Sequence, residues 1–308
     1  VDLTILTLKQ LQQQSLLHLT SDDARLEIDI LLARAIGKST TFLRTWPDYV
    51  LTAEQLAQFQ HEFAQRQQGL PLAYILGERA FWRLSLSVNA AVLIPRPDTE
   101  CVVEKVLALG QDQQWRVADL GTGSGAIALS LAIEHPEWQI IATDINPQSL
   151  AVAQANAVKN NIQQIEFKQG SWLEPLTGLF DCIVSNPPYI ANDDPHLIDL
   201  QYEPIGALVA ANNGLADLIE IVRLSSDFLH KKGWLVLEHG FQQGDAVQAL
   251  LRQAGFVNVD SGCDYGGNIR YSVGQKCSMM LNCCVITAKF YCRSGILSPK
   301  KKLKRLKS

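Results

Sequence analysis

Basic residues are scarce over most of this chain. Eight of its 27 Lys and Arg residues lie in residues 277–308, which contain no Asp or Glu. Residues 1–276 therefore hold 19 basic against 31 acidic residues, a net charge of −12. Because proteins bind a phosphate backbone largely through Lys and Arg, a body this acidic disfavours nucleic acid as the main substrate, unless the basic end makes the contact.

Long apolar runs are also missing. No stretch reaches the roughly 18 apolar residues that a transmembrane helix needs. The first residues, VDLTILTLKQ, lack the basic segment that opens a secretory signal peptide. These absences predict a cytoplasmic protein that does not associate with membranes.

Patterns for metal binding and for disulfides are absent as well. The seven cysteines form no CxxC pair, and their odd number disfavours a disulfide framework. The six histidines show no HExxH or similar ligand spacing. We therefore expect no metal and a reducing compartment, whereas the composition, 47% hydrophobic and 19% charged, is that of a globular protein.

The pattern of apolar residues divides the chain into four parts. Residues 1–70 show the periodicity of amphipathic helices and predict a small helical-bundle domain. Residues 71–95 are rich in aromatic and β-branched residues between turn signals, which predicts a β-hairpin connector. In residues 96–276 strands and helices alternate, which predicts an α/β domain with a mostly parallel, doubly wound sheet. Residues 277–308 fit neither pattern and are predicted to be disordered.

A glycine-rich loop follows the first predicted strand of the α/β domain, in WRVADLGTGSGAIALSLA. Gly121, Gly123 and Gly125 allow a tight turn and a close approach of backbone to ligand. Asp144 ends the next strand, where a carboxylate can accept hydrogen bonds from both ribose hydroxyls. The segment also fits G-x-G-x-x-A, so a nicotinamide or flavin enzyme is an alternative. Asp119 would repel a pyrophosphate but suits the ammonium group of S-adenosylmethionine.

One tryptophan stands near this predicted site. Trp172 comes just after the third strand, in QGSWLEP. Its ring can lie against an adenine or can be an ordinary core side chain, and both interpretations stay open.

The segment FDCIVSNPPYI carries the most specific signal. A buried strand delivers Asn186, Pro187, Pro188 and Tyr189 to the carboxyl edge of the sheet, where open α/β sheets bind ligands. The Asn186 Oδ1 atom and the Pro187 carbonyl can accept hydrogen bonds from the two N–H groups of a planar NH2 group. Tyr189 offers that planar group a flat face. If a methyl donor is held in line with that nitrogen, methyl transfer needs no strong base, since positioning alone removes much of the activation barrier. The motif does not by itself separate a glutamine amide from the exocyclic amine of adenine.

Several segments together resemble one family, the bacterial release-factor glutamine N5-methyltransferases (PrmC/HemK). The resemblance covers roughly residues 1–275. It rests on PLAYILGERAFWRL, VLIPRPDTE, DLGTGSGAIALSLA, FDCIVSNPPYI and GWLVLEHGFQQG. It implies a helical domain that docks the substrate and a Rossmann-like methyltransferase domain with seven strands. As substrate it implies the glutamine of the GGQ motif in class-I peptide chain release factors.

The resemblance also assigns roles to residues. The cofactor would be S-adenosylmethionine, which leaves as S-adenosylhomocysteine. In addition to Asp119, the residues that would bind it are Gly121, Thr122, Gly123, Ser124, Gly125, Asp144, Trp172 and Asn186. The substrate amide would be held by Asn186, Pro187, Pro188 and Tyr189. From PRPDTE, the residues expected to line the same cleft are Arg96, Thr99 and Glu100. For this last group, capping of the following helix by Asp98 or Thr99 is the alternative.

Other functions stay open at this point. An amino-methyltransferase acting on adenine or guanine of DNA or RNA shares the NPPY motif but would need a basic surface. A module that binds release factors without turnover would not need both motifs intact. The basic end has no counterpart in the family, and is either an extension produced by a frameshift or read-through, or an arm that touches ribosomal RNA.

Overall fold

The computed structural model describes residues 6–111 and 113–278 of the 308-residue chain. Almost all of the basic end lies outside these residues, so what the sequence predicts for it stays a prediction. Across the two described ranges, no helix combines the length and the apolarity that a membrane span requires.

The first part of the chain is a group of helices. They are α1 (Leu8–Leu16), α2 (Ala24–Ile36), α3 (Thr40–Thr45), α4 (Ala53–Gln67) and α5 (Leu72–Leu76). Capping boxes begin α1 and α4, where Thr7 and Thr52 each accept a hydrogen bond from the backbone N–H three residues on. The helices share a core around Leu8, Ile28 and Leu31, which are fully buried. The expected helical bundle is confirmed, and α3 and α5 are additions too short for periodicity to reveal.

A hairpin joins the helices to the rest of the chain. Its antiparallel strands are β1 (Glu78–Phe81) and β2 (Leu84–Ser87). The Asn156 side chain accepts a hydrogen bond from Ser87 N at 2.7 Å and donates to Ser87 O at 3.0 Å. Glu100 accepts the backbone N–H of Trp82 at 2.8 Å. The predicted hairpin is therefore present and fastened to the following domain, although α5 occupies part of the stretch assigned to it.

The remaining chain alternates helices and strands. The helices are α6 (Glu100–Leu109), α7 (Ala126–Glu134), α8 (Pro147–Lys159), α9 (Ala211–Gly214), α10 (Ala216–Phe228) and α11 (Gly244–Gln253). The strands are β3 (Arg116–Leu120), β4 (Gln139–Asp144), β5 (Ile165–Gln169), β6 (Phe180–Ser185), β7 (Leu229–Glu238), β8 (Phe256–Cys263) and β9 (Ile269–Lys276). β3, β4 and β6 are mostly buried and apolar, as strands covered by helices on both faces are.

Within the described residues, seven strands form one sheet in the order β5-β4-β3-β6-β7-β9-β8. Strand β9 runs antiparallel to β7 and β8, whereas the pairs from β5 to β7 are parallel. Apolar cores cover the two faces, one around Val102 and Leu129 and the other around Ile221 and Leu235. The expected Rossmann-like architecture is confirmed.

The order of the strands fixes where a ligand can bind. From β3 the chain continues outward to β4 and β5, and then returns to place β6 on the opposite side of β3. Sheets of this kind bind ligands in the crevice outside the carboxyl ends of the strands at such a reversal. The carboxyl ends of β3 and β6 are therefore the place to look for a site.

Candidate active site

A cavity of about 620 Å³ lies at the carboxyl ends of β3, β4 and β6. Among the residues predicted from the sequence, those in its wall are Arg96, Thr99, Asp119, Gly121, Thr122, Gly123, Ser124, Asp144, Trp172, Asn186 and Pro188. The predicted residues outside its wall are Glu100, Gly125, Pro187 and Tyr189. The fold thus gathers three motifs that are distant in sequence, GTGSGA, PRPDTE and NPPY, around one cavity.

The three glycines of the loop have different surroundings. All three have positive φ, at 68° for Gly121, 56° for Gly123 and 87° for Gly125, a region that residues with a Cβ rarely adopt. A Cβ on Gly123 would meet no described heavy atom within 4 Å, whereas one on Gly125 would lie 2.8 Å from Leu129 Cδ1. A Cβ on Gly121 would lie 3.1 Å from the ring of Trp172. Gly123 therefore leaves open space beside the loop, and Gly125 allows α7 to pack closely.

Asp119 is a buried carboxyl in the cavity wall, 1% exposed. Its Oδ2 atom accepts hydrogen bonds from Thr122 Oγ1 at 2.6 Å and from Ala128 N at 3.2 Å. Its Oδ1 atom has no hydrogen-bond partner among the residues described. Burial raises the pKa of this carboxyl to about 6, although the two hydrogen bonds act to lower it. A buried oxygen without a partner is unfavourable unless a ligand satisfies it, and this one suits a cationic group.

Asp144 stands across the loop at the end of β4. Its Oδ2 accepts the backbone N–H of Gly123 and its Oδ1 that of Asn146, both at 2.9 Å. Burial raises its pKa even so. Since each carboxylate oxygen can accept a second hydrogen bond, Asp144 can still bind a pair of hydroxyl groups.

Trp172 forms part of the cavity wall beside the glycine loop. Its φ of 46° is unusual for a residue with a large side chain. Its carbonyl accepts a hydrogen bond from Thr143 Oγ1 at 3.0 Å, which anchors this conformation to β4. The ring is half-buried and also closes over Gly121, so it has both a packing contact and a face toward the cavity.

The NPPY motif presents only part of itself to the cavity. Asn186 donates a hydrogen bond from Nδ2 to Thr99 Oγ1 at 3.2 Å, and its Oδ1 accepts none from the described residues. Tyr189 turns away, with its hydroxyl donating to Glu238 Oε1 at 3.3 Å and its carbonyl accepting from Gln243 Nε2 at 3.0 Å. Pro187 is buried. Tyr189 is not part of the cavity wall, because the buried Glu238 holds its hydroxyl behind the loop.

The PRPDTE motif is likewise split by the turn it makes. Arg96 and Thr99 face the cavity, whereas the Glu100 carboxylate is directed to the hairpin. Thr99 forms no capping hydrogen bond to the described part of α6, and Asp98 instead pairs with Arg270 at 3.2 Å. The structure therefore does not show the capping alternative.

Several parts of the cavity wall are not predicted from the sequence. Two of them are residues 91–93, just before PRPDTE, and residues 204–207, a turn after NPPY. Glu203 holds the second part in place, since its carboxylate pairs with Arg96 and accepts the backbone N–H of Ile94 at 2.9 Å. The proline and glycine of the turn are visible as breakers, but no sequence signal places them over a cavity.

In the part of the chain that the structure describes, no group of three or more His, Cys, Asp or Glu side chains is arranged to hold a metal ion. The polar groups of the cavity wall are instead separate carboxylates, two asparagines, one arginine, several hydroxyl groups and backbone atoms. They suit an organic ligand with a cationic group and hydroxyls.

Comparison with known proteins agrees with this geometry. The family model "Methyltransferase small domain" matches residues 99–200, and "PrmC N-terminal domain" matches residues 9–77. The release factor glutamine methyltransferase of Yersinia pestis is 50% identical over 257 residues, which cover 83% of this chain and 93% of that protein. The protein of the same name from Escherichia coli strain K12 is 45% identical over 258 residues, covering 83% and 93%.

Solved structures agree on the fold alone. The catalytic domain of hMettl16 in complex with an RNA hairpin superposes with a TM-score of 0.54 at 20% identity, covering 72% of this chain and 84% of that one. A methyltransferase from Pyrococcus furiosus gives 0.51 at 18% identity, covering 70% and 99%. The resemblance noted in the sequence is confirmed by the curated relatives, and the chain belongs to the family of release factor glutamine methyltransferases.

Proposed function

We propose that this chain transfers the methyl group of S-adenosylmethionine to the side-chain amide nitrogen of a glutamine in a class-I peptide chain release factor, within its GGQ motif. The observation that carries the proposal is Asn186, whose Nδ2 atom is held by Thr99 while its Oδ1 atom is left to accept a hydrogen bond beside the cavity. Curated relatives named for this reaction support it. The proposed partner places the protein in the cytoplasm.

The cavity fits the proposed cofactor. The Oδ1 atom of Asp119, which has no partner among the described residues, suits the ammonium group, and the two oxygens of Asp144 suit the ribose hydroxyls. Gly123 leaves space for a ligand against the loop, and Trp172 offers a flat face. When bound, the cofactor supplies an electrophilic methyl group on a sulfonium.

The acceptor amide needs orientation more than it needs a base. Its nitrogen lone pair is delocalised into the carbonyl, so the nitrogen is a poor nucleophile. The Pro187 carbonyl accepts no hydrogen bond from the described residues. Together with Asn186 Oδ1, it would accept hydrogen bonds from the two N–H groups of the amide and hold the nitrogen in place. Such positioning can supply several kcal/mol, up to about 7–11 kcal/mol in the best cases. The methylated nitrogen is strongly acidic and loses its extra proton without a strong base.

The helical part is proposed to dock the protein substrate. We assign residues 1–70 to docking, residues 71–95 to the connector and residues 96–276 to methyl transfer. The Tyr202 hydroxyl donates to Gln68 O at 2.5 Å, so the chain next to the 204–207 turn contacts the end of α4. A substrate bound by the helices would thereby meet the cavity wall directly.

Labelled methyl transfer to a purified release factor tests the proposal. The matched control is the same factor with the GGQ glutamine replaced by alanine, and RNA and DNA serve as competing acceptors. We expect label on the intact factor alone. Equal label on the control factor, or label on nucleic acid, would contradict the proposed substrate.

A further inference from the structure

A buried carboxylate connects two parts of the cavity wall. Glu203 stands immediately before the 204–207 turn, and its side chain is only 3% exposed. Its Oε1 atom accepts a hydrogen bond from Arg96 Nη2, and its Oε2 atom accepts the backbone N–H of Ile94 at 2.9 Å. Because both oxygens have partners and one partner is a cation, an ionised carboxylate is acceptable at this buried place.

The backbone that carries Arg96 is also held without Glu203. The Tyr74 hydroxyl donates to Val92 O at 2.6 Å, and Ser149 Oγ donates to Ala91 O at 2.8 Å. These two hydrogen bonds fix the chain just before PRPDTE. What the carboxylate adds is therefore a fixed place and a compensating charge for the guanidinium.

Arg96 keeps hydrogen-bond donors for a ligand. Its side chain is 36% exposed and lies in the cavity wall, whereas Glu203 does not. A guanidinium has five N–H groups in a planar fork, and the hydrogen bond to Glu203 is the only one that its side chain donates to the described residues. Among those residues it is also the one cation in the wall, whose other charged side chains are the carboxylates of Asp119, Asp144 and Asp217.

The charge of Arg96 decides which ligands its donors favour. A guanidinium without a partner matches phosphate groups, which it binds through two parallel hydrogen bonds. A carboxylate at hydrogen-bond distance offsets much of the positive potential, while the remaining N–H groups stay available. The pair therefore suits neutral acceptors better than anions.

The neutral acceptors in a glutamine-bearing segment are carbonyl oxygens. A cationic donor on the side-chain amide oxygen would draw electron density away from the nitrogen that must attack the methyl group. Backbone carbonyls carry no such penalty, and the two glycines of the GGQ motif leave theirs open to close approach. Backbone carbonyls next to the acceptor glutamine are therefore the favourable ligands.

We propose that Glu203 is a positioning and specificity-determining residue, whose carboxylate aims and neutralises the Arg96 guanidinium so that Arg96 binds backbone carbonyl groups of the acceptor segment and does not attract phosphate groups. This inference rests on the function proposed above. It makes the ion pair a device that favours a protein segment over a nucleic acid at the same cavity.

Kinetics of two variants test the binding role. Arg96→Gln should raise KM for the release factor roughly 10- to 100-fold, the effect of losing hydrogen bonds from a charged group. Glu203→Gln should raise it about tenfold, because the guanidinium is no longer held in one place. The value of kcat and the Kd of the cofactor should change less than about threefold in both. Because the two changes interrupt one connection, the double variant should lose little more than Arg96→Gln alone.

Inhibition by inorganic sulfate adds a readout that a packing defect would not produce. At constant ionic strength set with sodium chloride, sulfate should compete with the release factor in Glu203→Gln, with an inhibition constant about tenfold or more below that of the unaltered protein. The double variant, which lacks the guanidinium, should lose this inhibition. Glu220→Gln is the matched control, since it removes the partner of Arg223 outside the cavity wall and should behave as the unaltered protein.

Binding of sulfate without substrate separates this inference from the proposed function. Calorimetric titration should detect sulfate binding to Glu203→Gln and none to the double variant, and thermal unfolding shows that each variant is folded. If folded Glu203→Gln gains no sensitivity to sulfate, or if KM of Arg96→Gln stays within twofold of the unaltered protein, the inference is overturned. The Arg96→Gln result decides the matter should Glu203→Gln fail to fold. If sulfate binds as expected but the unaltered protein methylates no glutamine, the proposed function fails alone.

Discussion

Asp119 and Glu238 are buried carboxyls at similar positions in the sheet. Asp119 lies in the half that is proposed to bind the cofactor, and Glu238 lies in the half that contains the NPPY loop. Each lies at the carboxyl end of a buried strand, is 1% exposed and has one oxygen without a partner among the described residues. Burial raises both pKa values, to about 6 and about 7. Asp119 faces the cavity, whereas Glu238 lies behind the NPPY loop. One carboxyl is placed to touch a cationic ligand, and the other accepts a hydrogen bond from the Tyr189 hydroxyl of that loop.

The largest effect is expected at Asn186, the residue proposed to hold the amide that is methylated. Asn186→Ala should lower methyl transfer roughly 100- to 1,000-fold, as loss of one preorganised hydrogen-bonding group at a reacting atom does. Thermal stability should change little. Initial rates of labelled methyl transfer measure this, with the exposed Asn268→Ala as control. Near-normal turnover in Asn186→Ala would contradict the proposal that Asn186 holds the acceptor amide.

In the cofactor half, Asp119→Asn should weaken S-adenosylmethionine binding roughly 10- to 100-fold, because a charge-assisted hydrogen bond is lost. The ligand-free protein should be no less stable, since the asparagine oxygen can keep the hydrogen bonds from Thr122 and Ala128 while the cost of burying a charge is removed. Calorimetric titration and thermal unfolding measure the two quantities, with the exposed Asp245→Asn as control. Unchanged affinity would show that Asp119 does not meet the ligand.

Cofactor affinity should also depend on pH. The pKa of Asp119 is raised to about 6 in the ligand-free protein, and a cation binds its ionised form. The Kd should therefore rise about tenfold per pH unit below 6 and stay nearly constant from about pH 6 to about pH 7.5, where the ammonium group of the ligand keeps its proton. Stability of the ligand-free protein should change in the opposite sense, since a raised pKa stabilises the fold at low pH and loses that contribution as pH rises through about 6. The Kd of Asp119→Asn should lack this dependence.

Two glycines offer a matched pair. Gly125→Ala should destabilise the fold by roughly 2–4 kcal/mol, because its Cβ would meet Leu129 in addition to the strain of a positive φ. Gly123→Ala carries only the strain, about 1–2 kcal/mol, but places a methyl group where the ligand approaches. Its cofactor affinity should fall about tenfold or more, while Gly125→Ala binds normally once folded. Urea unfolding and titration distinguish the two, and equal behaviour would contradict the division of roles.

The smallest effect is expected for Tyr189→Phe. The lost hydroxyl contributes one long hydrogen bond to Glu238, so kcat should fall about two- to fivefold. A loss as large as that of Asn186→Ala would instead place Tyr189 on the substrate.

The two halves also differ in how far the sequence reveals them. Asp119 is predicted because it stands two residues before a glycine loop, within one strand and one turn. Glu238 gives no such signal, since its partner Tyr189 is 49 residues away and the two meet only when β6 and β7 pair. Glu203 and Ile94 are likewise 109 residues apart in the sequence and meet only in the folded chain.

Local direction explains other differences. Thr99 and Glu100 are neighbours in PRPDTE, but successive residues at a helix start point about 100° apart, so one faces the cavity and the other the hairpin. The central strands β3, β4 and β6 are predictable because buried parallel strands are continuous apolar runs bounded by turn residues. Helices α3 and α5 span six and five residues, too few for a periodic pattern.

The central claim is that Asn186 holds the amide nitrogen of a glutamine for methylation. Its most direct test is mass-spectrometric location of the methyl group on a release factor after incubation with S-adenosylmethionine and either the unaltered protein or Asn186→Ala. We expect one methyl group on the side-chain amide of the GGQ glutamine, formed only by the unaltered protein. A methyl group on any other residue, or equal modification by Asn186→Ala, would contradict it.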